Sequence, residues 1–450
     1  MKNKISRYLN GFKDGDWITR LSIIVMGAGS FLRKQYAKGL MFLGFQLAYI
    51  YYMISSGIAR IQGLATLGTL EQGQVWDEAK GIYIYSQGDN SMLFLLFGVA
   101  AIIISAGFIV LYFMSVKSAM ENQHAVENND ELKSFRDEIK ELLDSRFHVT
   151  ILSLPTALTF LFTILPLIFM ILIAFTNFDK NHQPPGNLFT WVGLRNFKNL
   201  LYGSELISNT FFKLARWTLI WAFFATFLNY ILGMLLAMLI NKKGIKIKKF
   251  WRTLFVITIA VPQFVTLLLM SQLLHDLGPV NVFLQNSGIT DSAIRFLSNG
   301  NNAKLTVILV NLWVGIPHTM LITTGILMNV PEDMYEAATI DGAGPFQRFK
   351  SITLPYMLSA TTPYLITQFI GNINNFNVIF LLTGGGPKSL DYFQAGETDL
   401  LVTWLYKLSM TEKNYALAST VGIIIFIISA TLSLVVFRKA TAGGQEEQFQ

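Results

Sequence analysis

Eight apolar stretches of this chain contain no Asp, Glu, Lys or Arg: residues 39–58, 92–116, 151–175, 217–240, 254–274, 305–330, 358–382 and 415–437. A helix needs about 20 apolar residues to cross a bilayer core roughly 30 Å thick. A charged side chain at the centre of such a helix costs about 3 kcal/mol or more. All 35 basic and 28 acidic residues fall outside the eight stretches, which is the partition a bilayer imposes. The chain is therefore expected to be all-α, a polytopic membrane helical bundle of about eight transmembrane helices. Composition agrees, because 14% of the residues are charged against about a quarter in soluble domains.

With the amino terminus inside, 23 of the 35 Lys and Arg fall in cytoplasmic segments, as the positive-inside rule requires. Both termini are then cytoplasmic. The densest cluster is Lys242, Lys243, Lys246, Lys248, Lys249 and Arg252. The net charge of +7 is assigned to such loops and not to nucleic acid. No small-residue cleavage site follows the first apolar run, so no cleaved signal peptide is expected.

Residues 17–31 form a shorter apolar run broken by Arg20. It is expected to lie in the membrane interface rather than to span. Leu132, Phe135, Ile139 and Leu142 recur at three- and four-residue steps. That spacing predicts an amphipathic cytoplasmic helix packed on its own bundle. Pro184, Pro185 and Gly186 mark 178–216 as an external loop with turns rather than another helix. Trp217, Trp221 and Trp251, near span ends, read as interfacial belts. The chain then divides into 1–150, with two spans and the amphipathic helix; 151–440, with six spans; and a polar tail at 441–450.

Between the sixth and seventh stretches runs EAATIDGAGPFQRFKSITLP. Proline disfavours helix in the preceding residue and opens a new helix well, so Val330-Pro331 ends one span. Glu332 and Asp333 suit the start of the next helix. Ala337 and Ala338 are small enough to let a partner approach. Gly342 and Gly344, before Pro345, are expected to break the segment into two short limbs, with Leu354-Pro355 opening the next span. A bent helical pair at the cytoplasmic surface results; an ordinary amphipathic connector is the plainer alternative.

The spacing E-A-A-x3-G-x9-I-x-L-P resembles the signature of permease subunits of ATP-binding-cassette (ABC) importers. That resemblance implies a type I ABC importer permease fold. It also implies that the loop at 331–357 is a coupling helix docking on a separate ATPase, through Glu336, Ala337, Ala338, Asp341, Gly342 and Gly344.

The seventh stretch contains Gly371-Asn372-Ile373-Asn374-Asn375-Phe376-Asn377. Asparagines in a membrane helix are costly unless they meet partners or water. Thr361, Gln368, Asn372 and Asn375 fall on one helical face. They either line a polar cavity of sugar size or hydrogen-bond between helices, and spacing leaves both open. His318 is the one histidine inside a stretch. Pro262, Pro317 and Pro363 permit kinks. Gly384-Gly385-Gly386-Pro387-Lys388-Ser389 fails the phosphate-loop pattern, because proline precedes the lysine. No ATP hydrolysis by this chain is expected.

NNFNVIFLLTGGGP, AGETDLLVTWLY and DGAGPFQRFKSITLP together resemble the larger permease of maltose/maltodextrin importers, in its Gram-positive form, over about residues 145–440. The resemblance implies sugar contacts at Asn311, Gly315 and Asn375, with Trp313, His318, Gln368 and Asn372 beside them. Two aromatic positions of that family are His318 and Gly371 here. It implies as partners a second permease, a homodimeric ATP-binding subunit, an extracellular sugar-binding lipoprotein, a malto-oligosaccharide and membrane lipids, in a bacterial cell membrane. Permeases for galacto-oligosaccharides share these motifs.

Other classes fit less well. A secondary transporter would need intramembrane acids or an inverted repeat, and the sequence carries neither. A membrane enzyme would need paired acids or a histidine cluster, and the five histidines are scattered. With no cysteine, disulfides and thiolate metal sites are excluded. No metal and no cofactor are expected.

Overall fold

The computed structural model describes residues 15–446 apart from Lys133 and Lys243, with side chains described to Arg438. The basic segment before Gly15, Lys243 of the basic cluster and the end of the polar tail lie outside the described residues. Among the described residues, six helices are long and apolar enough to cross a membrane, and two bent helix pairs raise the number to eight. The chain divides after Val192 into two compact units, so 151–192 belongs to the first.

In the first unit, α1 (Trp17–Ile24) and α2 (Ala28–Leu32) are separated by a left-handed Gly27. Two helices therefore replace the single run at 17–31. Asp16 caps α1 by accepting from the Thr19 amide at 2.7 Å and pairs with Arg33 at 2.7 Å. The long helices are α3 (Tyr36–Thr66), α4 (Ser91–Glu127) and α6 (Phe147–Ile173). Tyr49 of α3 stacks on Phe108 of α4 at 3.9 Å.

A hairpin, β1 (Gly73–Asp77) with β2 (Ile82–Ser86), joins α3 to α4. It is the one departure from all-α architecture among the described residues. The amphipathic helix is α5 (Phe135–Leu143), opened by a Ser134–Asp137 capping box. Its Phe135, Ile139 and Leu142 are 40–43% exposed, so the apolar face is only partly covered, while Glu138 pairs with Lys38 of α3.

In the second unit, α7 (Arg195–Tyr202) precedes α8 (Glu205–Asn241). Residues 195–216 are thus largely helical and not a loop with turns. The helix ladder simply continues beyond the charge-free stretch, carrying Lys213 and Arg216. α9 (Lys248–Ala260) and α10 (Gln263–Leu273) form one pair bent by 87° at Val261-Pro262. Pro262 supplies no backbone donor there. Next come α11 (Pro279–Asn286), α12 (Gly300–Leu327) and α13 (Glu332–Ile340). α14 (Pro345–Ile373) and α15 (Asn377–Thr383) form the second pair, bent by 42°. α16 (Leu401–Tyr406) and α17 (Tyr415–Glu446) complete the chain.

α8 and α12 cross closely. A Cβ at Gly233 of α8 would stand 2.7 Å from Thr319 Cβ of α12, so glycine there sets the approach of the two backbones. Trp217 and Trp221 are core residues, not interfacial belts. Trp221 is 0% exposed, and each indole donates to a backbone carbonyl, Trp217 to Thr398 and Trp221 to Asn372, both at 3.1 Å. Trp251 is exposed.

Candidate functional site

A cavity of about 200 Å³ lies inside the second unit, between α8, α12, α14 and the two helix breaks. Asn311, Gly315, His318, Gln368, Asn372 and Asn375 all line it. Residues 60 positions apart in the chain are brought together because α12 and α14 cross beside α8. The lining also holds Thr226 and Asn229 of α8 and Gln263 of α10. No Asp, Glu, Lys or Arg lines it.

Three hydrogen bonds fix the asparagines. Asn375 Nδ2 donates to Asn372 Oδ1 at 3.3 Å, and Asn372 Nδ2 donates to Thr226 Oγ1 at 3.0 Å. Asn375 Oδ1 accepts from the Val378 amide at 3.2 Å, capping α15. The asparagine run therefore does both things its spacing allows: it ties α14 to α8 and it faces a cavity. Thr361 takes only the first role: buried away from the cavity, it donates to the Met357 carbonyl at 2.6 Å and shares a hydrogen bond with Tyr230 of α8 at 2.8 Å.

Trp313 is not in the cavity. It stands, exposed, on an adjoining groove of about 520 Å³. Gln263, Val314 and His318 line both spaces. The cavity by itself is below the roughly 300–1,000 Å³ of ordinary ligand sites, and the groove adjoins it through those three shared residues. Thr226, Asn229, Gln263, Thr319 and Tyr364 are the polar lining residues that the sequence reading missed. Gln263 follows the Val261-Pro262 break, a signal that was available. Asn229 is a single amide in an apolar stretch, with nothing local to mark it.

At the end of α12 remote from Gly300, α13 carries Glu336, Ala337 and Ala338. Its end is a Schellman turn: the Gly342 amide donates to Thr339 O at 3.1 Å and the Ala343 amide to Ala338 O at 2.8 Å. Gly342 takes φ +76°, which favours glycine. The second limb is not a separate helix. From Pro345 the chain runs through a π turn at Phe349–Thr353 directly into the long helix, so Leu354-Pro355 lies within α14 and opens nothing. Pro355 sits where a missing amide is tolerated, just after the π turn.

The two limbs of the elbow are tied to each other by Tyr335 OH and Thr353 Oγ1 at 2.9 Å and by Arg348 Nη1 donating to Thr339 Oγ1 at 2.9 Å. Glu336, Ala337, Asp341, Gly342 and Gly344 are exposed and Ala338 half-buried. Beside them Ile340 is 87% and Phe346 77% exposed. Small, acidic and large apolar groups thus share one uncovered elbow.

The Gly384-Gly385-Gly386 turn wraps a carboxylate. Asp399 is fully buried, accepts from the Gly396 amide at 2.7 Å and pairs with Lys407 at 2.5 Å. A Cβ at Gly385 would stand 1.9 Å from Asp399 Oδ1. The space inside the turn is thus taken by the Asp399 carboxylate.

Residues 229–442 match the family described as binding-protein-dependent transport system inner membrane component. The galactooligosaccharides transport system permease protein GanP of Bacillus subtilis is 33% identical over 95% of this chain and 99% of its own. The maltodextrin transport system permease protein MalC of Streptococcus pneumoniae is 33% identical over 94% of this chain and 96% of its own. A chain of a bacterial ABC transporter involved in the import of the acidic polysaccharide alginate shares the fold. It has a TM-score of 0.53 at 21% identity and covers 67% of this chain and 98% of that one.

Proposed function

We propose that this chain, which belongs to the inner membrane permease components of binding-protein-dependent transport systems, is the permease subunit of an ATP-driven importer for maltose and maltodextrins. It is a multi-pass membrane protein. In this reading both termini are cytoplasmic, and the six spans of 151–440 form half of the translocation pathway with a second permease. The elbow at 331–357 docks on a homodimeric ATPase through Glu336, Ala337, Ala338, Asp341, Gly342 and Gly344. An extracellular sugar-binding lipoprotein delivers substrate. The chain is a transport subunit and does no covalent chemistry; closure of the ATPase dimer shifts the bundle between two states by stabilising one of them.

The observation that carries the sugar assignment is the uncharged lining. Amides, hydroxyls and one imidazole suit neutral hydroxyls, whereas a uronate chain would bury carboxylates without a cation. Asn311, Gly315, His318, Gln368, Asn372 and Asn375 would meet the sugar in the cavity, and Trp313 would meet it in the groove. The second reading, a galacto-oligosaccharide permease, is favoured by the match to GanP.

Transport decides between them. The complete importer, reconstituted in liposomes, is expected to take up labelled maltotriose in preference to a galactan trisaccharide; the reverse preference selects the second reading. Glu336→Lys is expected to weaken ATPase association. A fully assembled, active complex with Lys at 336 would remove the docking role.

A further inference from the structure

We propose that Asn229 of α8 is a further sugar-binding residue, reading one hydroxyl jointly with Asn311 of α12. The inference rests on the reading of the cavity as the sugar's seat, and it adds a helix that the family resemblance did not bring in.

Asn229 follows directly on the π turn Phe224–Leu228 and is 8% exposed. Its Nδ2 donates to the Ala225 carbonyl at 2.7 Å. A carbonyl only accepts, so this bond fixes which way the amide points. Oδ1 is left buried with no partner among the described residues. Gly315 explains how the amide fits: a Cβ there would stand 2.3 Å from Asn229 Nδ2. The space opened by Gly315 thus admits the Asn229 amide beside the cavity.

One turn earlier on α12, Asn311 is 6% exposed, and its Nδ2 is likewise buried without a partner. Both residues line the same cavity. An acceptor and a donor are therefore each left open among the lining residues of one uncharged cavity. Buried polar groups in folded proteins are paired almost without exception. A hydroxyl, like the water it would displace, donates to one of these atoms and accepts from the other. An ammonium would satisfy only Asn229, and a carboxylate only Asn311.

The test uses the complete reconstituted importer with maltotriose and its monodeoxy analogues, and with the trisaccharide of the second reading if that one is transported. Asn229→Leu keeps the volume and removes the acceptor. It is expected to raise KM for uptake about three- to tenfold, the order of one lost neutral hydrogen bond, with maximal rate within about twofold. One monodeoxy analogue should be handled poorly by the unaltered importer and without further penalty by Asn229→Leu. A purely structural role would not produce that cancellation.

Asn229→Ser keeps a donor to Ala225 but shortens the reach of the oxygen, and it gives the same reading if the leucine variant does not assemble. A raised KM with every analogue penalised as in the unaltered importer overturns the proposal. So does an unchanged KM in both Asn229 variants while Asn311→Ala raises it. If Asn229→Leu, Asn311→Ala and Asn375→Ala all leave uptake unchanged, the cavity assignment falls and this inference falls with it.

Discussion

The Trp221 indole donates to the backbone carbonyl of Asn372 at 3.1 Å, so a tryptophan with no exposed surface holds the helix turn that presents the cavity asparagines. Trp221→Phe keeps an aromatic ring but leaves that carbonyl unpaired, at a cost of about 1–3 kcal/mol. The thermal midpoint of the purified importer is expected to fall by several degrees, and KM for sugar to rise. Unchanged values of both would show that α14 needs no such anchor.

Gly342 and Gly344 are two residues apart, yet their backbones differ. Gly342 has φ +76°, and Gly344 has φ −71°. A side chain at the first position costs about 1–2 kcal/mol, and at the second close to nothing. Neither glycine has a neighbouring atom within 4 Å of an added Cβ, so the contrast isolates backbone conformation. Gly342→Ala is expected to reduce co-purification of the ATPase and coupled uptake several-fold, and Gly344→Ala to leave both near normal. Equal effects from the two substitutions would show that the Schellman turn does not govern docking.

Asp399 and Lys407 form a buried pair, and removing one partner strands the other. Lys407→Met is expected to destabilise the permease by about 3 kcal/mol. Adding Asp399→Asn in the same chain should recover much of that loss, because no charge then remains buried. Denaturation of the single and double variants checks the recovery; a double variant less stable than the single would contradict it.

The membrane crossings were legible because the bilayer penalises each charge independently, so a linear scan finds the gaps. The elbow was legible in part. Its glycines mark the turn locally, but the fusion of its second limb with α14 depends on a π turn at Phe349–Thr353 that no residue there announces. The interior was less legible. Trp217 and Trp221 look like belt residues by position, and only the crossing of helices makes them core. Asn372 and Asn375 stand out because four asparagines crowd one segment. Asn229 is a lone amide whose meaning depends on Gly315, more than 80 positions away. The hairpin at 73–86 was missed because it lies between apolar runs that drew the whole reading.

Gln263, at the 87° bend, and Asn375, inside the 42° bend, border one chamber. A straight helix spends all its peptide groups on itself. Where two helices stop and restart at the same level, some amides and carbonyls come back into circulation and give a passing polar cargo footholds that are indifferent to side-chain identity. The same interruptions let rigid halves swivel without tearing a continuous ladder. On the reading of this chamber as the sugar's seat, the place that holds cargo and the place that bends are one, and gripping and releasing become two phases of a single motion.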